Sequence, residues 1–247
     1  MKKIGVLFLV LGIISLIVIG CSSSRPEMDL GDVELVWQDH EVATYDFLVD
    51  GEKRAQNVFT IEKDGENFKI DSFLEIDVGI NATGAVVRGD DLQPVSAYYK
   101  NLPPPTSEAV SIEVTGQYEE GELAVEALQG EEGQELTVSL PGLVIDNESV
   151  LMAIRNFPLE EGYVKDINIS IVSSAQVAPY TIKVEALETV QVPYGEVESY
   201  KVVMEYTGQG SVPDMYAWYS NDADRIMVKY QNRNVLFELN DLDTEGI

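Results

Sequence analysis

Apolar and polar residues alternate with a period of two through most of this chain. Phe68, Ile70, Ser72, Leu74, Ile76 and Val78 interleave with Lys69, Asp71, Phe73, Glu75 and Asp77, the pattern of a strand with one wet face. Val110, Ile112, Val114 and Tyr118 repeat it, as do Ile167, Ile169 and Ile171. Tyr200, Val202, Met204 and Tyr206 follow, then Val235, Phe237 and Leu239. Between these runs lie hairpin signals. Asp50-Gly51 and Asp64-Gly65 supply the positive φ of two-residue turns, and Glu119-Glu120-Gly121 and Glu131-Glu132-Gly133 read as short polar loops. Val192-Pro193-Tyr194-Gly195 fits a β-turn with proline second. Turns this frequent predict antiparallel meanders rather than βαβ units.

Two segments break the alternation. Asp146-Asn147-Glu148, then Ser149 to Asn156 with Pro158 beyond, predicts one short helix near 147–156, begun by an Asx cap and stopped by proline. Asn101 to Glu108 contains Pro103-Pro104-Pro105, which cannot donate to a ladder, and reads as a stiff crossover joining strand groups 32–100 and 109–240. The first group is small for an independent sheet. The expected fold is therefore mainly all-β, one domain over 32–247, with a single curved antiparallel sheet or a half-open barrel or roll.

The first residues follow a different rule. Met1-Lys2-Lys3 is positive, Ile4 to Gly20 is a seventeen-residue apolar run broken only by Ser15, and Cys21 follows directly. Val18-Ile19-Gly20-Cys21 resembles the bacterial lipobox. Residues 1–20 are expected to be a lipoprotein signal cleaved between Gly20 and Cys21, with the Cys21 sulfur carrying the lipid. Residues 21–31, rich in serine, form a flexible tether. Everything after Cys21 is then exported and lipid-anchored to the outer face of the cell membrane, or to an outer membrane if the host has one.

Charge narrows the function. The 247 residues carry 43 acidic and 16 basic side chains, a net −27, which repels nucleic acid. One cysteine and one histidine, His40, exclude disulfide frameworks and multi-histidine metal centres. His40 beside Asp39 has no Gly-x-Ser-x-Gly elbow to serve, so neither a catalytic set nor a cofactor is expected. Asp241, Asp243, Glu245 and Gly246 copy half a calcium loop at an acidic terminus and lack its later ligands. Asn221-Asp222-Ala223-Asp224 reads as a hairpin loop. Aromatic residues offer the remaining thread. Tyr98 and Tyr99 adjoin the prolines, and Tyr216, Trp218 and Tyr219 cluster on one strand. Either Tyr216 and Trp218 fill the core with Tyr219 outside, or Tyr98, Tyr99, Tyr216 and Trp218 line a groove for a hydrophobic ligand.

From Asp146 to Arg155, through Leu159-Glu160-Glu161-Gly162, Glu188 to Val202 around Pro193 and Gly195, and Trp218 to Asp222, the order of features resembles the bacterial exported family called domain of unknown function 3108. Arg225-Ile226-Met227-Val228 departs from it where a proline usually opens the next strand. The resemblance implies a β-rich envelope domain and supplies no catalytic residues. Three functions follow as expectations: a binding or scaffold module for a hydrophobic envelope ligand, an acidic module docking basic proteins, or a glycan-active enzyme using two carboxylates.

Overall fold

The computed structural model describes residues 33–244. The signal, Gly20, Cys21 and the tether lie outside those residues. Eight strands come first: β1 (His40–Val49), β2 (Glu52–Asp64), β3 (Asn67–Ile76), β4 (Gly79–Arg88), β5 (Pro94–Leu102), β6 (Ile112–Glu119), β7 (Glu122–Gln129) and β8 (Glu132–Ser139). The two-residue β9 (Ile145–Asp146) leads into α1 (Val150–Ala153) and a 3-10 turn, Ile154–Asn156. Then follow β10 (Val164–Ile171), a second 3-10 turn at Val172–Ser174, β11 (Gln176–Val192), β12 (Gly195–Tyr206), β13 (Met215–Ser220), β14 (Met227–Asn232) and β15 (Val235–Asp243).

All fifteen strands form one sheet in the order 8-7-6-5-4-3-2-1-15-14-13-12-11-10-9. The chain walks outward from β1 to one edge, crosses to the opposite edge, and walks back until β15 pairs with β1. Every ladder is antiparallel except β9 with β10. The sheet curls until β9 and the Val172–Ser174 turn lie against β5 and β6. Close approach needs a glycine there: a Cβ on Gly116 would stand 2.7 Å from Val172 Cγ2. A sheet this long curls because twist accumulates from strand to strand.

The helical segment enters the roll and plugs it. Arg155, fully buried, makes a two-pronged ion pair with Glu41, Nη1 to Oε1 at 2.7 Å and Nη2 to Oε2 at 2.8 Å, and Nη2 also donates to the Asp224 carbonyl at 2.8 Å. Trp37 Nε1 donates to the Met152 carbonyl and the Tyr219 hydroxyl to the Leu151 carbonyl. These bonds satisfy the end carbonyls of a helix too short to cap itself. One continuous apolar core runs from Trp37 to Leu239, with Tyr45, Phe59 and Phe237 meeting edge to face or tilted.

Several local expectations need correction. The helix is begun by Ser149, whose side chain makes no cap bond, while Asp146 sits in β9 and accepts from the Glu148 N–H. Pro103–Pro105 belong to a long hairpin loop between β5 and β6, which pair directly; the crossing to the other sheet edge is made later, between β8 and β9. Gly133 lies in β8, and Gly130, at φ 63°, turns the chain. The second turn is shifted by one residue, to Gly65-Glu66. Asp241 and Asp243 belong to β15, paired with Thr44 and Val42, so the acidic end is strand to that point; Glu245 and Gly246 lie outside the described residues. Asp50-Gly51, Pro193-Tyr194 and the 221–224 loop stand as expected.

Candidate functional site

The aromatic residues do not converge. Residues of one strand alternate between faces, so Tyr98 and Tyr99 point opposite ways. Tyr99 packs on the core, whereas Tyr98 lies across Gly84 on the outer face and its hydroxyl donates to Asp71 at 2.8 Å. Six strands separate β5 from β13. On β13 the expected faces are exchanged. Tyr219, with no exposed surface, points into the core, while Tyr216 and Trp218 face outward, Lys201 over the first ring and Lys229 over the second. Trp218 Nε1 donates to Glu188 Oε1 at 2.6 Å. Trp218 is only 8% exposed, so the lysine stems cover what a ligand would need. β13 alternates regularly against β12, and the extra residue of the β-bulge is Val228 on β14, so Ala217 and Tyr219 fill the core while Trp218, on the other face, is kept from water by its charged neighbours.

Where the sheet ends meet, polar groups form a seam. The Tyr118 hydroxyl on β6 donates to Asp146 Oδ2 on β9 at 2.5 Å and lies 2.7 Å from Ser170 Oγ on β10. Burial pushes the Asp146 carboxyl up to about 7, against the lowering effect of the Tyr118 bond. Burial raises the Tyr118 hydroxyl and the neighbouring Glu148 carboxyl too, the latter opposed by bonds to Asn147 and Thr83. Perturbed carboxyls mark candidate acid–base sites. Here, however, Asp146 has no exposed surface and both its oxygens are engaged, one by Tyr118 and one by the Glu148 N–H. The cluster joins strands; no substrate reaches it. His40 begins β1, and among the described residues no three His, Cys, Asp or Glu side chains gather to hold a metal.

A hollow of about 550 Å³ opens at the rim beside the proline loop, lined by Ile76, Ile80, Leu102, Pro103–Pro105 and by Arg54, Glu75 and Asp77. It is half polar and lies outside the filled core. No helix among the described residues is long and apolar enough to cross a membrane.

The chemistry is most one-sided on the outermost strands. Residues 101–154 contain eleven acidic side chains and no lysine, arginine or histidine. Glu113 pairs with Lys100 at 2.9 Å, and Asp146 and Glu148 belong to the seam. The other eight glutamates, Glu108 and seven along β6–β8 and their turns, have no ion-pair partner among the described residues. Glu126 and Glu135 stand directly opposite each other, and Glu119 opposite Glu122, pairings of like charge that cost stability. The gap in basic residues is legible in the sequence; that most of its glutamates fall on the strands at one edge of the sheet is not.

Comparison with known proteins agrees with this architecture. The structure is similar to a β-barrel-like protein of domain of unknown function DUF1849 from Brucella abortus, at 11% identity and a TM-score of 0.52, covering 85% of this chain and 98% of that one. That likeness is one of fold. A putative exported protein with a YmcC-like fold from Bacteroides fragilis matches at 10% identity with the same coverage and a TM-score of 0.30. No curated protein matches in sequence. Residues 34–234 match the family described as "Protein of unknown function (DUF3108)", and the chain belongs to that family.

Proposed function

We propose that this protein is a non-catalytic docking module of the bacterial cell envelope, tethered through lipid on Cys21 and binding basic protein partners with its acidic strands. The observation that carries the reading is the run from 101 to 154, with eleven acids and no base, most of whose glutamates lie along β6–β8 and their turns at one edge of the sheet. Uncompensated surface charge of one sign speeds and selects encounters with the opposite sign. A core already filled from Trp37 to Leu239 also favours an outer surface over an internal ligand chamber.

Retention of the full-length chain on immobilised polylysine tests it. Binding is expected at about 0.05 M salt and should fall steeply by about 0.5 M, as screening requires. Salt-independent retention, or none at low salt, overturns the reading. For the tether, cells fed labelled palmitate should mark the wild-type protein and leave the Cys21→Ser variant unmarked; an unmarked wild type overturns the anchor.

A second reading rests on the rim hollow, whose volume suits a small amphipathic ligand. Native mass spectrometry of freshly purified protein should then show an added mass that Leu102→Trp removes. A bare mass for the wild type overturns that reading.

A further inference from the structure

The two ends of the sheet differ in what they leave unpaired. β9 ends one side after two buried residues. β8 ends the other with eight residues in unbroken register with β7, seven of them exposed, and no strand beyond it among the described residues. It has neither the bulge nor the proline that usually blunts an edge.

Hydrogen-bond alternation shows which groups are free. The two-residue turn Gly130-Glu131 closes on Gln129 and Glu132, and such a closing pair exchanges both backbone bonds. Residues 132, 134, 136 and 138 therefore bond inward to β7. The N–H and C=O groups of Gly133, Glu135, Thr137 and Ser139 point away from the sheet. β7 is consistent with this phase, since the Gly130 N–H bonds back to Ser111 and the Leu140 N–H to Gly121.

The side chains beside this edge differ between faces. One face presents Glu126 opposite Glu135, with Glu122 four residues away along β7. The other presents Leu136, 43% exposed. From this geometry we infer that β8 accepts an added strand from a partner protein, an extended segment in which basic residues alternate with apolar ones. Its backbone would pair with Gly133, Glu135, Thr137 and Ser139. Its lysines or arginines would sit beside Glu135 and relieve the repulsion from Glu126, and its apolar residues would cover Leu136. A second copy of this chain is disfavoured as the occupant, because its own β8 would bring further glutamates to the same face. The inference rests on the docking reading above and specifies its site and mode.

The test uses the full-length chain in detergent and a fluorescent nine-residue peptide of alternating lysine and valine. Alongside it goes the same peptide with every second backbone nitrogen methylated, which keeps the charge and removes hydrogen-bond donors. Strand addition predicts that the methylated peptide binds the wild type at least about tenfold more weakly, since two or more backbone hydrogen bonds are lost. Thr137→Pro removes an outward N–H and leaves the β7 ladder intact, so a similar loss is expected with unchanged circular dichroism. Equal affinity for the two peptides overturns strand addition and leaves charge-based docking standing. Failure of both peptides to bind at low salt overturns both. Self-association of the wild type that the lysine peptide does not displace also overturns the inference, by assigning the edge to a second copy.

Discussion

The terminal strands β9 and β8 end the same sheet under opposite conditions. β9 is two residues long, wholly buried, and tied to β6 and β10 through Asp146, Tyr118 and Ser170. β8 is eight residues long and wet on both faces, and its charge is all of one sign. A sheet edge is a row of unpaired donors and acceptors, and proteins hide such rows unless they use them. The buried end is where the roll closes on itself. At the open end β7 packs Leu123 and Val125 into the core, while Glu122, Glu126 and Glu135 on the outer face and the exposed Leu136 on the edge strand remain available for contact with another molecule.

Substitutions at the two ends should therefore differ in size. The largest effect is expected inside the closed part: Arg155→Met leaves Glu41 buried without its partner and should cost about 3–5 kcal/mol in denaturant unfolding. Adding Glu41→Leu should recover much of that loss; no recovery would mean that packing, not charge, sets the cost. Ile145→Ala on β9 should cost about 2–5 kcal/mol, whereas Leu136→Ala on β8 should cost at most about 0.5 kcal/mol. Equal costs would erase the distinction between the two ends.

The seam gives an intermediate effect with a pH signature. Tyr118→Phe removes a donor to a buried carboxyl and should cost about 1–3 kcal/mol. The Asp146 carboxyl is raised by burial to about 7, so the folded protein holds a proton that the unfolded chain releases near 3.8. Its contribution to stability is complete below about 3.8 and is lost as pH rises through 7. Glu148, also raised, acts in the same direction. Unfolding followed from pH 4 to 8 should show this decline, and Asp146→Asn should flatten it. An unchanged slope in that variant would place the titration elsewhere. The smallest effect returns to the exposed hairpin, where Glu135→Thr should stabilise by about 0.2–1 kcal/mol by ending the repulsion with Glu126. That gain should shrink as salt is added.

Local rules carried much of the fold because hairpins are local objects. Asp50-Gly51 and Pro193-Tyr194 each needed only the backbone preferences of two residues, and the short helix needed only Ser149 to Asn156 between strand and proline. Elsewhere distant contacts override local chemistry. Asp146 looks like a helix cap and is instead drawn into β9 by Ser170 and Tyr118, partners 24 and 28 residues away. Tyr216 and Trp218 look like core residues and face outward, because the face of β13 that meets the core is the one carrying Ala217 and Tyr219, and which face that is depends on the packed sheet. The acidic run was visible in the chain, but nothing local assigns it to an open sheet edge rather than to a shielded surface.

By itself, then, the amino-acid order determined a β-rich domain of short antiparallel hairpins, its one helical interruption, and the sign and location of its charge along the chain. These depend on side-chain periodicity and on turn residues acting over a few positions. Only the tertiary structure decided that β1 and β15 join the two halves, that Arg155 meets Glu41, and that one sheet edge is buried while the other stays open. Those outcomes depend on accumulated twist and on which surfaces meet after the chain has crossed the whole molecule, and no short window of sequence contains that information.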